Sequence, residues 1–194
     1  MKTLAAMAAP LDGAEALSGL LEAARSGDLA AFEILMRRHE RLVLATALRL
    51  LGRMEDAQDA SQEVFLRLYR NLGKVAATEN LPGWLYRVTV NVCHDSRRRR
   101  PEVTFSADLP EFVSPGADPQ QAASERERRR ALEMSLRLLS EKERAALVLR
   151  DLEGLPTEEV AAILGTSQAT VRSQIFKARI KMRDFVERYF RRRV

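Results

Sequence analysis

Residues 154–182 constrain the fold of this chain more than any other stretch. Val160, Ile163 and Leu164 form one apolar stripe, and Val171, Ile175, Ala178, Met182 and Phe185 form a second, both at helical spacing. Between them stands Gly165, which can end a helix where the chain needs a residue without Cβ. Thr166 or Ser167 can then cap the next helix by accepting an orphan backbone N–H. A short helix, a glycine turn at 165–167 and a second helix are the sequence form of a helix-turn-helix. Pro156 stands just ahead of the first helix, where Thr157 is a candidate cap and the helix start is left open.

The second helix carries a distinct outer face. Arg172, Phe176, Arg179 and Arg183 follow at steps of four, three and four, Gln168 begins the row, and Thr170, Ser173, Lys177 and Lys181 adjoin it. A helix fits the DNA major groove and reads base edges with its N-terminal residues. Gln168 and Arg172 have the chemistry for that task, and the later Lys and Arg residues suit phosphates. The plainer reading is a helical hairpin with a solvated basic face. Turn, stripe and basic face coincide here, which favours DNA.

The whole chain agrees with a polyanionic partner. It has 194 residues, a net charge of +5 and a pI near 9.8. That length allows one large domain or two small ones. A single cysteine, Cys93, excludes an internal disulfide, and with only His39 and His94 beside it a metal or cofactor site is not expected. The start of the chain, Met1 to Pro10, superficially resembles a secretory signal, but it has only Lys2 as positive charge and its short, Ala-rich apolar run is broken by Pro10 and Asp12. No apolar run approaches the ~20 residues that cross a bilayer, so the chain reads as cytoplasmic.

Upstream the pattern is helical throughout. Helices are expected over about 14–25, 29–51, 54–72, 81–100, 119–139 and 141–152. In the second, Phe32, Leu35, Met36, Val43, Ala47 and Leu50 form the inner stripe. In the third, Ala57, Ala60, Val64 and Leu68 point inward, while Asp59, Gln62, Glu63, Leu66 and Arg70 share another face and Asp56 lies one turn earlier. An apolar residue amid carboxylates fits a docking face, although single exposed leucines are common. Nothing nearby supplies a nucleophile or pocket for catalysis.

The fourth helix places Leu85, Val88 and Val92 inward and Trp84, Arg87, Asn91, Asp95 and Arg98 outward, with Arg97, Arg99 and Arg100 behind. An aromatic ring, an amide, a carboxylate and a basic run make a plausible single-strand surface: stacking holds a base, polar groups read its edge, arginine neutralises phosphate. Trp84 as ordinary core is the competing reading. Residues 101–118 hold Pro101, Pro110, Pro115 and Gly116, four acidic residues and no Lys or Arg, which marks an acidic linker. Beyond it, Leu132, Leu136 and Leu139 are expected inward, and Ser140 with Glu143 forms a capping box. The fold class is all-α: two helical modules and a linker. The division is 1–26 as a partly helical extension, 27–100, the linker 101–118, and 119–194.

The ordered set of motifs resembles bacterial RNA polymerase sigma factors of the short extracytoplasmic-function (ECF) group. The resemblance covers about Asp28–Arg100 and Ala131–Tyr189. It rests on Asp59, Gln62, Glu63 and Phe65; on Trp84, Leu85, Tyr86, Arg87 and Asn91; and on Gly154, Glu158, Glu159, Val160, Ala161 and Thr170–Ser173. The resemblance implies that the 27–100 module is sigma region 2, with Asp56, Asp59, Gln62, Glu63 and Leu66 binding the β′ clamp helices of core polymerase. It implies that Trp84, Arg87, Asn91, Asp95, Arg97 and Arg98 act on the promoter −10 element as it melts. It implies that the 119–194 module is sigma region 4, contacts the β flap, and reads the −35 duplex through Gln168, Thr170, Arg172, Ser173, Phe176, Lys177 and Arg179. An anti-sigma factor is a further implied partner, and no enzymatic activity is implied. Pro156 departs from the family, which often has Ser or Thr there; the loop 73–82 is short, and the first twenty residues have no clear counterpart. The alternative is a stand-alone helix-turn-helix regulator, which needs neither a docking face nor a single-strand surface.

Overall fold

In a computed structural model, residues 14–75, 80–99 and 119–191 are described, and they form eight α-helices and one π-helical turn without a strand. The linker 101–118, Arg100 and the first thirteen residues lie outside the described set.

The first four helices are α1 (Ala14–Arg25), α2 (Leu29–Leu51), α3 (Met54–Asn71) and α4 (Leu81–Arg99). Asp28 caps α2 by accepting from the amides of Ala30 and Ala31, at 2.9 and 3.1 Å. Gly52 ends it in the left-handed conformation. Leu35, Val43, Ala57, Val64, Leu68 and Leu85 are buried together and make the first core.

The remaining helices are α5 (Pro119–Arg137), α6 (Glu141–Leu147), α7 (Thr157–Leu164) and α8 (Gln168–Arg191). The capping box opens α6: the Glu143 carboxylate accepts from the Ser140 amide at 2.9 Å, and the Ser140 hydroxyl accepts from the Glu143 amide. Lys181 donates to both Glu143 oxygens, at 2.9 and 2.7 Å. Burial alone would raise the Glu143 carboxyl, but Lys181 and Ser140 hold it below the usual carboxylate range.

Three expectations are corrected in this half. The helix that begins at Glu141 does not run evenly to Leu152; its last five residues, Val148–Leu152, are π-helical. In α5 and the turn after it, Ala131, Ser135, Leu136 and Leu139 are buried, while Leu132 is 38% exposed. Leu136 and Leu139 face inward as expected; Ala131 and Ser135, four apart, complete the buried face, and Leu132 lies at its edge. Thr157 is not a cap: it is the first residue of α7, Pro156 holds the cap position, and no side chain caps that helix.

The two halves pack into one body. Ala145 and Val148 of the second half complete the first core, and Tyr86 of α4 completes the core of Leu149, Val160, Ala161 and Val171. Arg144 ties them further. Its buried guanidinium donates to the carbonyls of Leu136 and Leu50, both at 2.9 Å, and of Leu139 at 3.1 Å. Leu50 O and Leu136 O lie in the last turns of α2 and α5, where the helix dipoles concentrate negative charge. Burial lowers the Arg144 pKa to about 9, with the Arg97 charge acting in the same direction, so it stays charged at neutral pH.

Arg144→Lys tests this tie. A lysine lacks the planar fork, and each carbonyl left unpaired costs about 1–3 kcal/mol. We expect a Tm lower by roughly 5 °C or more in thermal unfolding; a change below a degree would show that Arg144 is an ordinary packing residue.

Candidate polymerase and promoter interfaces

Three surfaces carry the residues singled out in the sequence. The first is an apolar groove of about 510 Å³ between α2 and α3. Leu66, Phe65 and Tyr69 form one wall; Phe32 and Met36 form the other. Leu66 is 49% exposed, and Phe32 meets Tyr69 edge to face with ring centroids 5.2 Å apart. Asp59 and Gln62 are exposed, and Glu63 bonds Arg67 at 2.8 Å. Glu33, Arg37 and Glu40 also line the groove, and Asp59 and Glu63 lie beside it on α3. An apolar floor with a charged edge suits a helix that is apolar on one side and charged at its edges.

Asp56 is set apart from this surface. It is buried, 9% exposed, in the first turn of α3, with the Arg53 guanidinium 3.8 Å away. A carboxylate there complements the helix N-terminus. The α2 wall was missed from sequence. Phe32 and Met36 belong to the helical stripe, and spacing does not distinguish a fully buried stripe from one that opens into a groove.

The second surface is the outer side of α8. Val171, Ile175 and Ala178 are buried, so the helix rotation is fixed, and Gln168, Thr170, Arg172, Ser173, Phe176, Lys177 and Arg179 are all exposed. Ser167 caps α8, accepting from the Thr170 amide at 3.1 Å. Gly165 adopts a φ of 61° and makes the turn. Phe176 is 66% exposed among cations, which packing does not explain. The cations differ in freedom. Arg179 is held by a two-pronged bond to Asp151, at 2.9 and 2.8 Å, which also raises its pKa. Lys181 is engaged with Glu143. Arg172 reaches only Gln168, at 3.5 Å.

The third surface is on α4. Arg87, Asn91 and Arg98 are exposed, and Trp84 is half-buried, packed against the first core. Asp95 lies 3.7 Å from Arg67. Arg97 turns away from this row: it is half-buried beside Cys93, Glu141 and Arg144, and burial lowers its pKa. Its side chain faces the other module instead of solvent. Asn91 and Asp95 also line a cleft of about 620 Å³ whose opposite wall includes Thr166, Thr170 and Gln174. Among the described residues, no group of three His, Cys, Asp or Glu side chains could hold a metal ion, and no helix is long and apolar enough to cross a membrane.

Comparison with known proteins shows the family to which the chain belongs. The family Sigma-70 region 2 matches residues 35–101, and Sigma-70 region 4 matches residues 129–182. The ECF RNA polymerase sigma-E factor of Escherichia coli K12 is 33% identical over 183 residues, which cover 89% of this chain and 95% of that protein. The chain belongs to the ECF RNA polymerase sigma factors. The sigma factor SigE of Mycolicibacterium smegmatis is 37% identical over 171 residues, 84% of this chain and 66% of that protein. Among solved structures, CnrH in complex with the cytosolic domain of CnrY aligns with a TM-score of 0.64 at 27% identity, covering 88% of this chain and 96% of that one. The sigma factor RpoE of Bartonella quintana, in complex with the anti-sigma factor NepR, shares the fold, with a TM-score of 0.62 at 21% identity, covering 77% of this chain and 96% of that one. The all-helical fold and the sigma-factor reading thus hold, and the stand-alone regulator is not favoured.

The groove gives the first test. Asp59→Arg combined with Leu66→Ala reverses an exposed charge beside the groove and removes one of its exposed apolar contacts without touching a buried residue. Binding to core polymerase in a pull-down is expected to fall at least about tenfold, the effect of losing an interface anchor, with helicity by circular dichroism unchanged. Undiminished binding would remove the groove from the interface.

Proposed function

We propose that this sigma factor binds core polymerase through the α2–α3 groove, captures an unpaired base of the −10 element on the α4 face, and reads the −35 duplex with α8. The observation that carries the reading is the fixed rotation of α8, which buries Val171, Ile175 and Ala178 and leaves Gln168, Arg172 and Phe176 outward. The modules correspond to 27–100 and 119–194, with 101–118 as the tether between them. The partners are the β′ clamp helices and β flap of core polymerase, promoter DNA, and an anti-sigma factor, as relatives of this fold are seen with such inhibitors. The place of action is the cytoplasm, where core polymerase meets DNA, and the chain supplies recognition rather than catalysis.

The roles divide by chemistry. Arg172, weakly held and near the start of α8, is the base reader; a bidentate arginine contact to guanine discriminates by about 1–3 kcal/mol. Phe176 offers an apolar contact suited to a thymine methyl. Arg179, held by Asp151, is positioned for a phosphate, which fixes register but carries no sequence information. Asn91 is the base-edge reader of the −10 face, because its amide can donate and accept. Unpairing a base costs a few kcal/mol, which contacts to the flipped base offset.

Two outcomes test these assignments. Arg172→Ala should relax sequence preference at the −35 element, measured as transcription from promoters with single substitutions there, whereas Arg179→Ala should weaken all of them alike. Equal weakening by both would make Arg172 a phosphate contact. Asn91→Ala should impair promoter opening, read by permanganate reactivity of unpaired thymines, more than it impairs duplex binding by the holoenzyme. Unchanged permanganate footprints would contradict the role of the α4 face.

A further inference from the structure

One arginine stands between two of the surfaces. Glu63 and Arg67 are one turn apart on α3, and Asn91 and Asp95 are one turn apart on α4. The Arg67 Nε donates to Glu63 Oε1 at 2.8 Å, and the other arm of the same guanidinium lies 3.7 Å from Asp95 Oδ2. Glu63 belongs to the face read as binding polymerase, and Asp95 to the face read as binding the unpaired strand. All three side chains are partly exposed, so each can be reached by a partner. The packing of α3 on α4 sets their spacing, with Val64, Leu68 and Val92 buried in the first core. The trio lies within the first module. It uses none of the contacts that Glu153 makes across the module seam with Thr46, Arg49 and Tyr86.

Two carboxylates share one guanidinium here, so the trio carries net negative charge. A planar guanidinium forms its strongest, two-pronged pair with one carboxylate at a time. Arg67 is bonded to Glu63 and only near Asp95. A cation of a protein partner that engages Glu63 weakens the first pair and lets Arg67 close on Asp95. Once paired in this way, Asp95 repels the phosphates of a bound strand less. Both partners therefore bias one side chain with two positions, which is the physical requirement for coupling between sites.

We propose that Arg67 is a positioning residue that couples polymerase docking at Glu63 to capture of the −10 strand beside Asp95. The proposal rests on the functional reading above for the identity of the two partners. Arg67 acts through the two carboxylates. In the free chain its bond to Glu63 leaves Asp95 charged at the strand-binding face. In the holoenzyme the guanidinium moves to Asp95, and the strand meets a neutral pair beside Asn91. Such coupling is reciprocal, so the state of Asp95 also sets the affinity for polymerase.

Two measurements on the full chain test it. The first uses a fluorescent single strand spanning the −10 region of a promoter found by run-off transcription. Glu63→Gln releases Arg67 without polymerase, so the free chain should bind this strand about threefold more tightly, the effect of one exposed ion pair. Arg67→Met should abolish the gain. Glu55→Gln, which removes the same charge from the start of the same helix, should not reproduce it. No gain from Glu63→Gln, or an equal gain in the Arg67→Met background or from Glu55→Gln, would overturn the coupling. The second measurement needs no change at Arg67. Asp95→Asn leaves the guanidinium on Glu63, and affinity for core polymerase, measured without DNA, should fall about threefold for the same reason. Unchanged affinity in a folded Asp95→Asn protein would overturn the proposal, even if Arg67→Met failed to fold. If Asn91→Ala leaves strand binding by the holoenzyme unchanged, the reading of the α4 face fails, and the polymerase affinity of Asp95→Asn still decides whether Arg67 joins the two faces.

Discussion

Arg144 is the interaction on which the arrangement depends. A buried guanidinium costs several kcal/mol of desolvation unless its donors are met. Here they are met by carbonyls in the last turns of α2 and α5. One residue near the start of α6 therefore joins the ends of two other helices. With those ends joined, Ala145 and Val148 fall into the first core and Tyr86 into the second. The position of Glu153 against Thr46, Arg49 and Tyr86 follows from that geometry.

The three candidate surfaces differ in their physics. The α2–α3 groove is apolar with a charged edge and suits a protein helix. The outer side of α8 is cationic with one exposed aromatic ring and suits a duplex. The α4 row combines an amide with exposed arginines and shares a cleft with the helix-turn-helix. The engaged cations matter as much as the exposed ones. Lys181 serves the capping box and Arg97 faces the module seam, so a count of basic residues would overstate the charge offered to DNA.

The helices, most of their ends and the face of α8 were legible in the sequence, because they depend on local periodicity and capping chemistry. Ser140 with Glu143, Gly52 and Gly165 each act within one turn of chain. What was not legible depends on contacts distant in sequence. The exposure of Leu132 depends on how α5 packs against α8. The burial of Asp56, the α2 wall of the groove and the inward turn of Arg97 arise only when other helices arrive. The π turn had no signal in the run from Val148 to Leu152, whose composition suits an α-helix equally well. The seam was hidden for the same reason: Thr46 and Glu153 are over a hundred positions apart.

The central claim is that this chain directs polymerase to promoters rather than binding DNA on its own account. Run-off transcription from genomic fragments, with purified core polymerase with and without the chain, tests it most directly. The account predicts transcripts with defined 5′ ends that appear only when the chain is added. The same transcript pattern with and without it, alongside tight duplex binding by the chain alone, would contradict the account.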